Sequence, residues 1–313
     1  MVTPEEVRKA HERIRSRIHR TPVLTSRSLN ALAGAELFFK CENFQRTGSF
    51  KFRGATNTLL QLSRVELAKG VATTSSGNHG AALSLAASLQ GVAVTVVMPH
   101  NTPQVKVRNV ERYGGKLMYC EPSHESREGT LVELVRETGA TVVHPYNDKR
   151  IVAGQGTAAW ELLEEHPDLE MIISPVSGGG LLSGTLLAVQ GKNPQIKVYG
   201  AEPEEADDTY RSLEAGKIVP NVTVDTIADG LRAQVGTLTF PIIQELVDEV
   251  ITVTEAEIIG AMRMIWERLK IIVEPSGAVP LAALLKQTKT FRNQKVGLIL
   301  SGGNADLDSL PWF

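Results

Sequence analysis

Stretches of helical hydrophobic spacing alternate with short β-branched runs along nearly the whole chain, and few architectures accept that pattern. Helix-like segments fall at residues 5–18, 81–89, 125–138, 156–165 and 255–269. Strand-like runs lie between them at 93–97, 142–143, 171–176, 197–201, 250–253 and 296–300. Parallel strands need a crossover between them, usually a helix, so the pattern predicts an α/β fold of largely parallel, twisted sheets flanked by helices. At 313 residues the chain exceeds one small core and suits two compact lobes. The Lys51 segment and the break at His144-Pro145 mark the expected boundaries. A smaller domain is expected over 61–147, inserted into a larger, discontinuous domain of 1–60 and 148–313. No internal repeat or low-complexity tract interrupts this plan.

Charge excludes several function classes. Lys and Arg total 33 against 35 Asp and Glu, a net charge of −2, and no basic block stands out. The chain therefore has no electrostatic case for nucleic acid or an anionic membrane as partner. No apolar run approaches the roughly 20 residues that a membrane helix needs. The start, Thr3-Pro4-Glu5-Glu6, reads as a capping box with proline at N1, where a secretory signal would be basic and then apolar. Cys41 and Cys120 lie 79 positions apart without metal-type spacing, so reduced thiols and a cytoplasmic location are expected.

The chemistry begins at residues 49–54, Ser-Phe-Lys-Phe-Arg-Gly. Lys51 sits between Phe50 and Phe52 after the small-residue turn Thr47-Gly48-Ser49. Burial disfavours the ammonium form and leaves an amine able to attack an aldehyde. A snorkelling surface lysine would spell the same letters, so the motif takes its meaning from its companions. Those companions are Gly/Ser-rich turns after strand ends, where open α/β sheets bind ligands. In Ser177-Gly178-Gly179-Gly180-Leu181, three glycines leave backbone N–H groups free to cradle an anion at a helix N-terminus. Thr74-Ser75-Ser76-Gly77-Asn78-His79-Gly80 gathers hydroxyls, an amide and N-terminal N–H groups suited to a carboxylate, although each residue alone reads as a helix cap. Ser301 offers a hydroxyl at a strand end, either as a cap or as a neutral partner for a heterocyclic nitrogen. Gly178, Gly180 and Ser183 nearly spell a dinucleotide fingerprint, with Glu202 22 residues beyond Gly180. The third glycine is missing, and a nicotinamide enzyme has no use for the Lys51 and Ser301 motifs.

Taken in order, these segments resemble the fold-type II pyridoxal-phosphate enzymes, which share a tryptophan synthase β-like fold, and among them the serine racemase and serine/threonine dehydratase family. The resemblance runs from about Glu5 to Asp306. It also includes Ala153-Gly154-Gln155-Gly156-Thr157, Ile227-Ala228-Asp229-Gly230, Glu274-Pro275 and Ser301-Gly302-Gly303-Asn304. It implies pyridoxal 5′-phosphate as cofactor, with Lys51 as its Schiff-base residue. Phe50 would pack on the pyridine face, Asn78 would bond the ring 3-hydroxyl, and Ser301 would meet the ring nitrogen. The phosphate would rest on Ser177, Gly178, Gly179, Gly180 and Leu181. Ser75, Ser76, Asn78 and His79 would hold the substrate carboxylate, and Ser76 would serve as acid/base on the face opposite Lys51. A hydroxyl at the ring nitrogen makes a weaker electron sink than an acid, which favours prompt loss of a β-leaving group.

The same resemblance implies a divalent cation, Mg²⁺, Mn²⁺ or Ca²⁺, on Glu202, the Ala206 carbonyl and Asp208; these are hard oxygen ligands. It also implies a homodimer acting on a small β-hydroxy amino acid. Residues 121–128 look more like racemases than like biosynthetic threonine deaminases. Twelve residues follow Ser301, so no C-terminal regulatory domain is expected. Arg27, Arg46 and Ala81 depart from the animal racemases that bind a nucleotide between subunits, which puts a nucleotide effector in doubt. A rival within the family is 3-hydroxyaspartate dehydratase. It needs a cation for the second carboxylate, and Arg127 is the candidate; a surface arginine paired with Glu125 or Glu128 is the plain alternative. A pure threonine or serine ammonia-lyase also remains open, and a non-catalytic pyridoxal-binding protein stands further off.

Overall fold

β-Branched and aromatic runs lay down ten strands among the residues that the structure, a computed structural model, describes: 2–75, 77–102 and 104–312, without the side chains of Val105 and His124. The strands are β1 (Val23–Leu24), β2 (Glu36–Cys41), β3 (Val71–Thr73), β4 (Val94–Pro99), β5 (Lys116–Cys120), β6 (Thr141–Val142), β7 (Met171–Pro175), β8 (Lys197–Pro203), β9 (Glu249–Val253) and β10 (Lys295–Leu300). They form a six-stranded sheet in the order β1-β2-β10-β7-β8-β9 and a four-stranded sheet in the order β5-β4-β3-β6. Apart from the antiparallel β1–β2 pair, the recorded pairings are parallel. The α/β architecture read from the sequence is therefore borne out. Among the described residues no helix is long and apolar enough to cross a membrane.

Strand residues alternate between faces, and both faces of the larger sheet are covered. Ile173 and Leu298 point into one core with Phe39, Met262 and Ala278. Their neighbours Ile172 and Ile299 point into the other, with Leu182, Leu186 and Trp160. The smaller sheet repeats the device: Val96 packs with Leu83, Phe52 and Leu59, while Val97 packs with Leu131 and Leu134.

Several elements differ from the sequence reading. β1, β2, β3 and β5 were not anticipated. β3 has three residues, too few to show a period of two, and β2 carries a charged residue near each end. The first helix, Pro4–Ile14, stops four residues early, although Thr3 caps it in the expected box. The helix expected at 156 begins instead at Lys149, capped by Asp148, whose carboxylate accepts the Arg150 N–H at 2.7 Å. Gly154 and Gly156 hid its first turns, since glycine is a poor helix former. Close packing demands them there: a Cβ on Gly154 would lie 2.6 Å from Gly54 Cα, and one on Gly156 2.5 Å from the Gly184 carbonyl.

Candidate active site

Parallel pairing brings the chemistry to one edge. β2, β10 and β7 are consecutive in the larger sheet, so their carboxyl ends lie side by side. β2 leads through a short turn to Lys51, β10 ends at Ser301, and β7 runs into the Ser177–Gly180 turn. Phe50 N–H donates to the Ser301 carbonyl at 3.0 Å, and Ser49 bridges Gly302, so the start of the Lys51 helix is tied to the end of β10. β3 of the smaller sheet leads at its own carboxyl end to Ser75, shortly before helix Asn78–Ser88.

Lys51 is the first residue of helix Lys51–Leu59 and half-buried. Its Nζ donates to the Pro145 carbonyl at 3.2 Å and lies 4.9 Å from the centre of the Phe50 ring. Burial lowers its pKa to about 8, against a smaller upward pull from Glu274. That shift raises the share of neutral amine at neutral pH, as attack on an aldehyde requires.

The glycine turn opens helix Gly180–Lys192, whose first N–H groups have no partner within the helix. Ser177 (φ 56°) and Gly179 (φ 83°) adopt left-handed backbone, which aims successive amides to one side. Gly178 cannot carry a side chain, because a Cβ would collide with the Tyr146 ring. Thr239 fastens the turn through its hydroxyl, which donates to the Gly178 carbonyl at 2.8 Å. The fastened turn presents amides suited to an anion at the same sheet edge as Ser301, which is itself buried.

Asn78 begins helix Asn78–Ser88 and links the two sheets. Its Nδ2 donates to Glu274 Oε1 at 2.8 Å, and its Oδ1 accepts from Asn304 Nδ2 at 2.7 Å. His79 is buried, and its Nε2–H donates to the Val143 carbonyl at 3.0 Å. Burial, with Lys51 nearby, drives its pKa to about 3, so the ring is neutral at physiological pH. Ser76 lies outside the described residues. Arg127 is half-buried on helix His124–Thr138, and its charge reaches the Tyr146 hydroxyl, whose pKa burial raises. Tyr146 follows Pro145, the carbonyl partner of Lys51, and so stands between Arg127 and the glycine turn. Sequence reading missed Tyr146, and it quoted Glu274-Pro275 without giving the acid a role. A glutamate before a helix-opening proline, where Ser, Thr, Asn or Asp usually caps, was the available signal.

No group of three or more His, Cys, Asp or Glu side chains converges as a metal site among the described residues. Glu202 and Asp208 form a buried pair, 1% and 0% exposed, near the equally buried Ala206. Each binds one backbone N–H at 2.7 Å, from Tyr210 and Val235 respectively. Each also has one buried oxygen without a hydrogen-bond partner, Glu202 Oε2 and Asp208 Oδ1. Burial raises both pKa values, that of Asp208 to about 6. Two orphaned carboxylate oxygens in a buried site fit a hard cation.

A lysine amine of lowered pKa, a glycine turn with free amides and a buried hydroxyl on one sheet edge fit a phosphate-bearing aldehyde. Residues 14–302 match the family described as pyridoxal-phosphate dependent enzyme, and the chain belongs to that family. It is 51% identical to the β-hydroxyaspartate dehydratase of Paracoccus denitrificans (strain Pd 1222), across 99% of this chain and 98% of that protein. It is 52% identical to the serine racemase of Arabidopsis thaliana, across 97% of this chain and 93% of that one. The crystal structure of serine racemase from Dictyostelium discoideum superimposes with a TM-score of 0.93 at 51% identity, covering 98% of this chain and 99% of the other. The fold-type II resemblance is thus borne out along almost the whole chain.

Proposed function

We propose that this enzyme racemises serine and also dehydrates serine and threonine, with Lys51 and Ser76 as acid/bases on opposite faces of the substrate. The carrying observation is the Lys51 amine, held to the Pro145 carbonyl beside the cradle with its pKa lowered to about 8. Lys51 Nζ would hold the cofactor aldehyde and would be released as a free amine when the substrate amine takes its place there. Residues Ser177 to Leu181 would hold the phosphate, Phe50 would pack on the ring, Asn78 would bond the 3-hydroxyl and Ser301 would meet the ring nitrogen. The bound pyridoxal phosphate supplies the electron sink that makes the substrate α-proton removable. Ser75, Ser76, Asn78 and His79 orient the substrate carboxylate. Lys51 Nζ takes the proton from Cα, and racemisation follows when Ser76 returns one from the other face. Dehydration follows when the β-hydroxyl leaves as water. Hydrolysis of the resulting imine consumes one water, so serine becomes pyruvate plus ammonia and threonine becomes 2-oxobutanoate plus ammonia.

A second reading, 3-hydroxyaspartate dehydration, is favoured by one observation: the Arg127 charge acts beside Tyr146, where a second carboxylate would find a cation. The 51% identity to a β-hydroxyaspartate dehydratase, level with the 50–52% to serine racemases, supports weighing both. The orphaned oxygens of Glu202 and Asp208 support a Mg²⁺, Mn²⁺ or Ca²⁺ ion held with the Ala206 carbonyl. Exposed Phe44 and Ile272, brought together where Asn43 Nδ2 donates to the Ile272 carbonyl at 3.0 Å, support a face for a second copy and hence a homodimer. The separate four-stranded sheet supports 61–147 as the smaller domain, and two buried free thiols support a reducing, cytoplasmic location.

The test is proton NMR of the protein with L-serine, pyridoxal phosphate and Mg²⁺ in D₂O, followed by chiral analysis of the remaining serine. Pyruvate with α-deuterated D-serine is expected. Pyruvate without D-serine would remove the racemase, and turnover of 3-hydroxyaspartate alone would favour the second reading. Lys51→Ala should abolish every activity.

A further inference from the structure

Glu274 is a buried acid at the site, 4% exposed, to which the reaction above assigns no role. It occupies the N-cap position of helix Pro275–Lys286 but makes no cap. Its carboxyl turns instead to Asn78 Nδ2, at 2.8 Å. A Cβ on Gly302 would collide with Glu274 Oε1, so the carboxyl lies against the backbone just past Ser301. Asn304 completes the chain of contacts: its Nδ2 donates to Asn78 Oδ1 at 2.7 Å and to the Thr47 carbonyl at 2.8 Å, in the turn that precedes Lys51. One face of Glu274 is thus joined through a single amide to the residues expected at the cofactor.

The charges around Glu274 come from three elements. Lys51 begins one helix, Asp229 stands on the short helix Asp229–Leu231, and Lys106 on helix Gln104–Arg112 pairs with Asp229 at 2.6 Å. Burial and the Asp229 charge raise the Glu274 pKa to about 7, while Asn78, Asn304 and Lys106 pull the other way. The acid therefore takes up a proton as pH falls through neutrality. Ionised, it places a negative charge near Lys51 and favours a protonated nitrogen there; protonated, it withdraws that charge.

We propose that Glu274 is a positioning residue that acts through Asn78 and Lys51, its own protonation setting how tightly the Lys51 nitrogen and the group bonded by Asn78 hold their protons. The inference rests on Lys51 being the residue joined to the cofactor.

The experiment is a titration of the holoenzyme from about pH 5 to 9, recording the visible absorption of the bound cofactor. The wild type should show an inflection near pH 7, and Glu274→Gln should lose it, whereas Glu274→Asp should keep one at a displaced pH. Asp229→Asn removes a like charge and should move the inflection down by about half a pH unit or more; Lys106→Met removes an opposite charge and should move it up. An unmoved inflection in Glu274→Gln overturns the proposal. Should that variant fail to fold or retain cofactor, an inflection unmoved in both Asp229→Asn and Lys106→Met overturns it. A visible band that survives Lys51→Ala would overturn the Lys51 assignment, and this inference with it.

Discussion

Arg53 lies two residues beyond Lys51 in the same helix and is 0% exposed, so its removal tests what holds the catalytic helix in place. Its guanidinium donates to Glu42 at 2.7 and 2.8 Å and to Glu161 at 2.9 and 2.8 Å. Lys40 adds a second cation, 2.9 Å from Glu161. The cluster is neutral, two cations against two carboxylates, and it joins β2, the Lys51 helix and helix Lys149–Glu165. Arg53→Met keeps much of the volume and leaves one net negative charge buried, with Glu42 reduced to the Thr21 hydroxyl at 2.6 Å. Removing one partner of a buried pair costs about 3–5 kcal/mol, and here two carboxylates lose their partner, so the upper end is expected. At roughly 2–4 °C per kcal/mol, Tm should fall by about 10–20 °C. Thermal unfolding of the apoprotein by circular dichroism gives the value. Adding Glu42→Gln restores neutrality and should recover about 2 kcal/mol. A loss under about 1 kcal/mol, or a double variant no better than the single one, would refute the reasoning. Acid offers a second check. Burial pushes Glu161 up, but Arg53 and Lys40 outweigh it and hold its pKa at about 2, below the ordinary 4.5. A depressed carboxyl contributes its stability above the ordinary value and loses it as pH falls toward the folded value. The wild type should therefore lose about 3 kcal/mol between about pH 4.5 and 2, and Arg53→Met much less.

Three further outcomes follow from the same geometry. Gly178→Ala should weaken pyridoxal-phosphate affinity by about tenfold or more, measured by fluorescence titration, because its Cβ meets the Tyr146 ring and forces the cradle open. If a cation sits on the buried Glu202 and Asp208 oxygens, as proposed, chelation with EDTA should lower Tm and Mg²⁺ or Ca²⁺ should restore it; a Tm indifferent to both would count against the cation. Arg127→Leu should lower kcat/KM for 3-hydroxyaspartate by about 100-fold or more while changing that for serine by less than about fivefold; equal losses would remove Arg127 from substrate choice.

The glycine turn was legible in the sequence because its requirements are local: left-handed backbone at Gly179 and no room at Gly178. Lys51 was legible for a similar reason, its apolar flanks being its neighbours in the chain. What remained hidden was partnership at a distance. β2 looked too polar for a strand because Lys40 meets its counter-ion 121 positions away, and Glu274 meets Asn78 196 positions away. Three glutamates make the point. Glu161, Glu202 and Glu274 have the same intrinsic acidity and are all buried. Burial alone would raise all three. Arg53 and Lys40 reverse that for Glu161 and take it to about 2. For Glu274, burial and the Asp229 charge outweigh the bond from Asn78 and leave it near 7. For Glu202, burial and the neighbouring Asp208 drive the pKa well above the carboxylate range. The letter Glu thus stands for an anion locked in an ion pair, an acid poised to exchange its proton, and a buried acid held toward its neutral form. The helix or strand that each partner arrives on decides which, and only the assembled sheets bring those partners within reach.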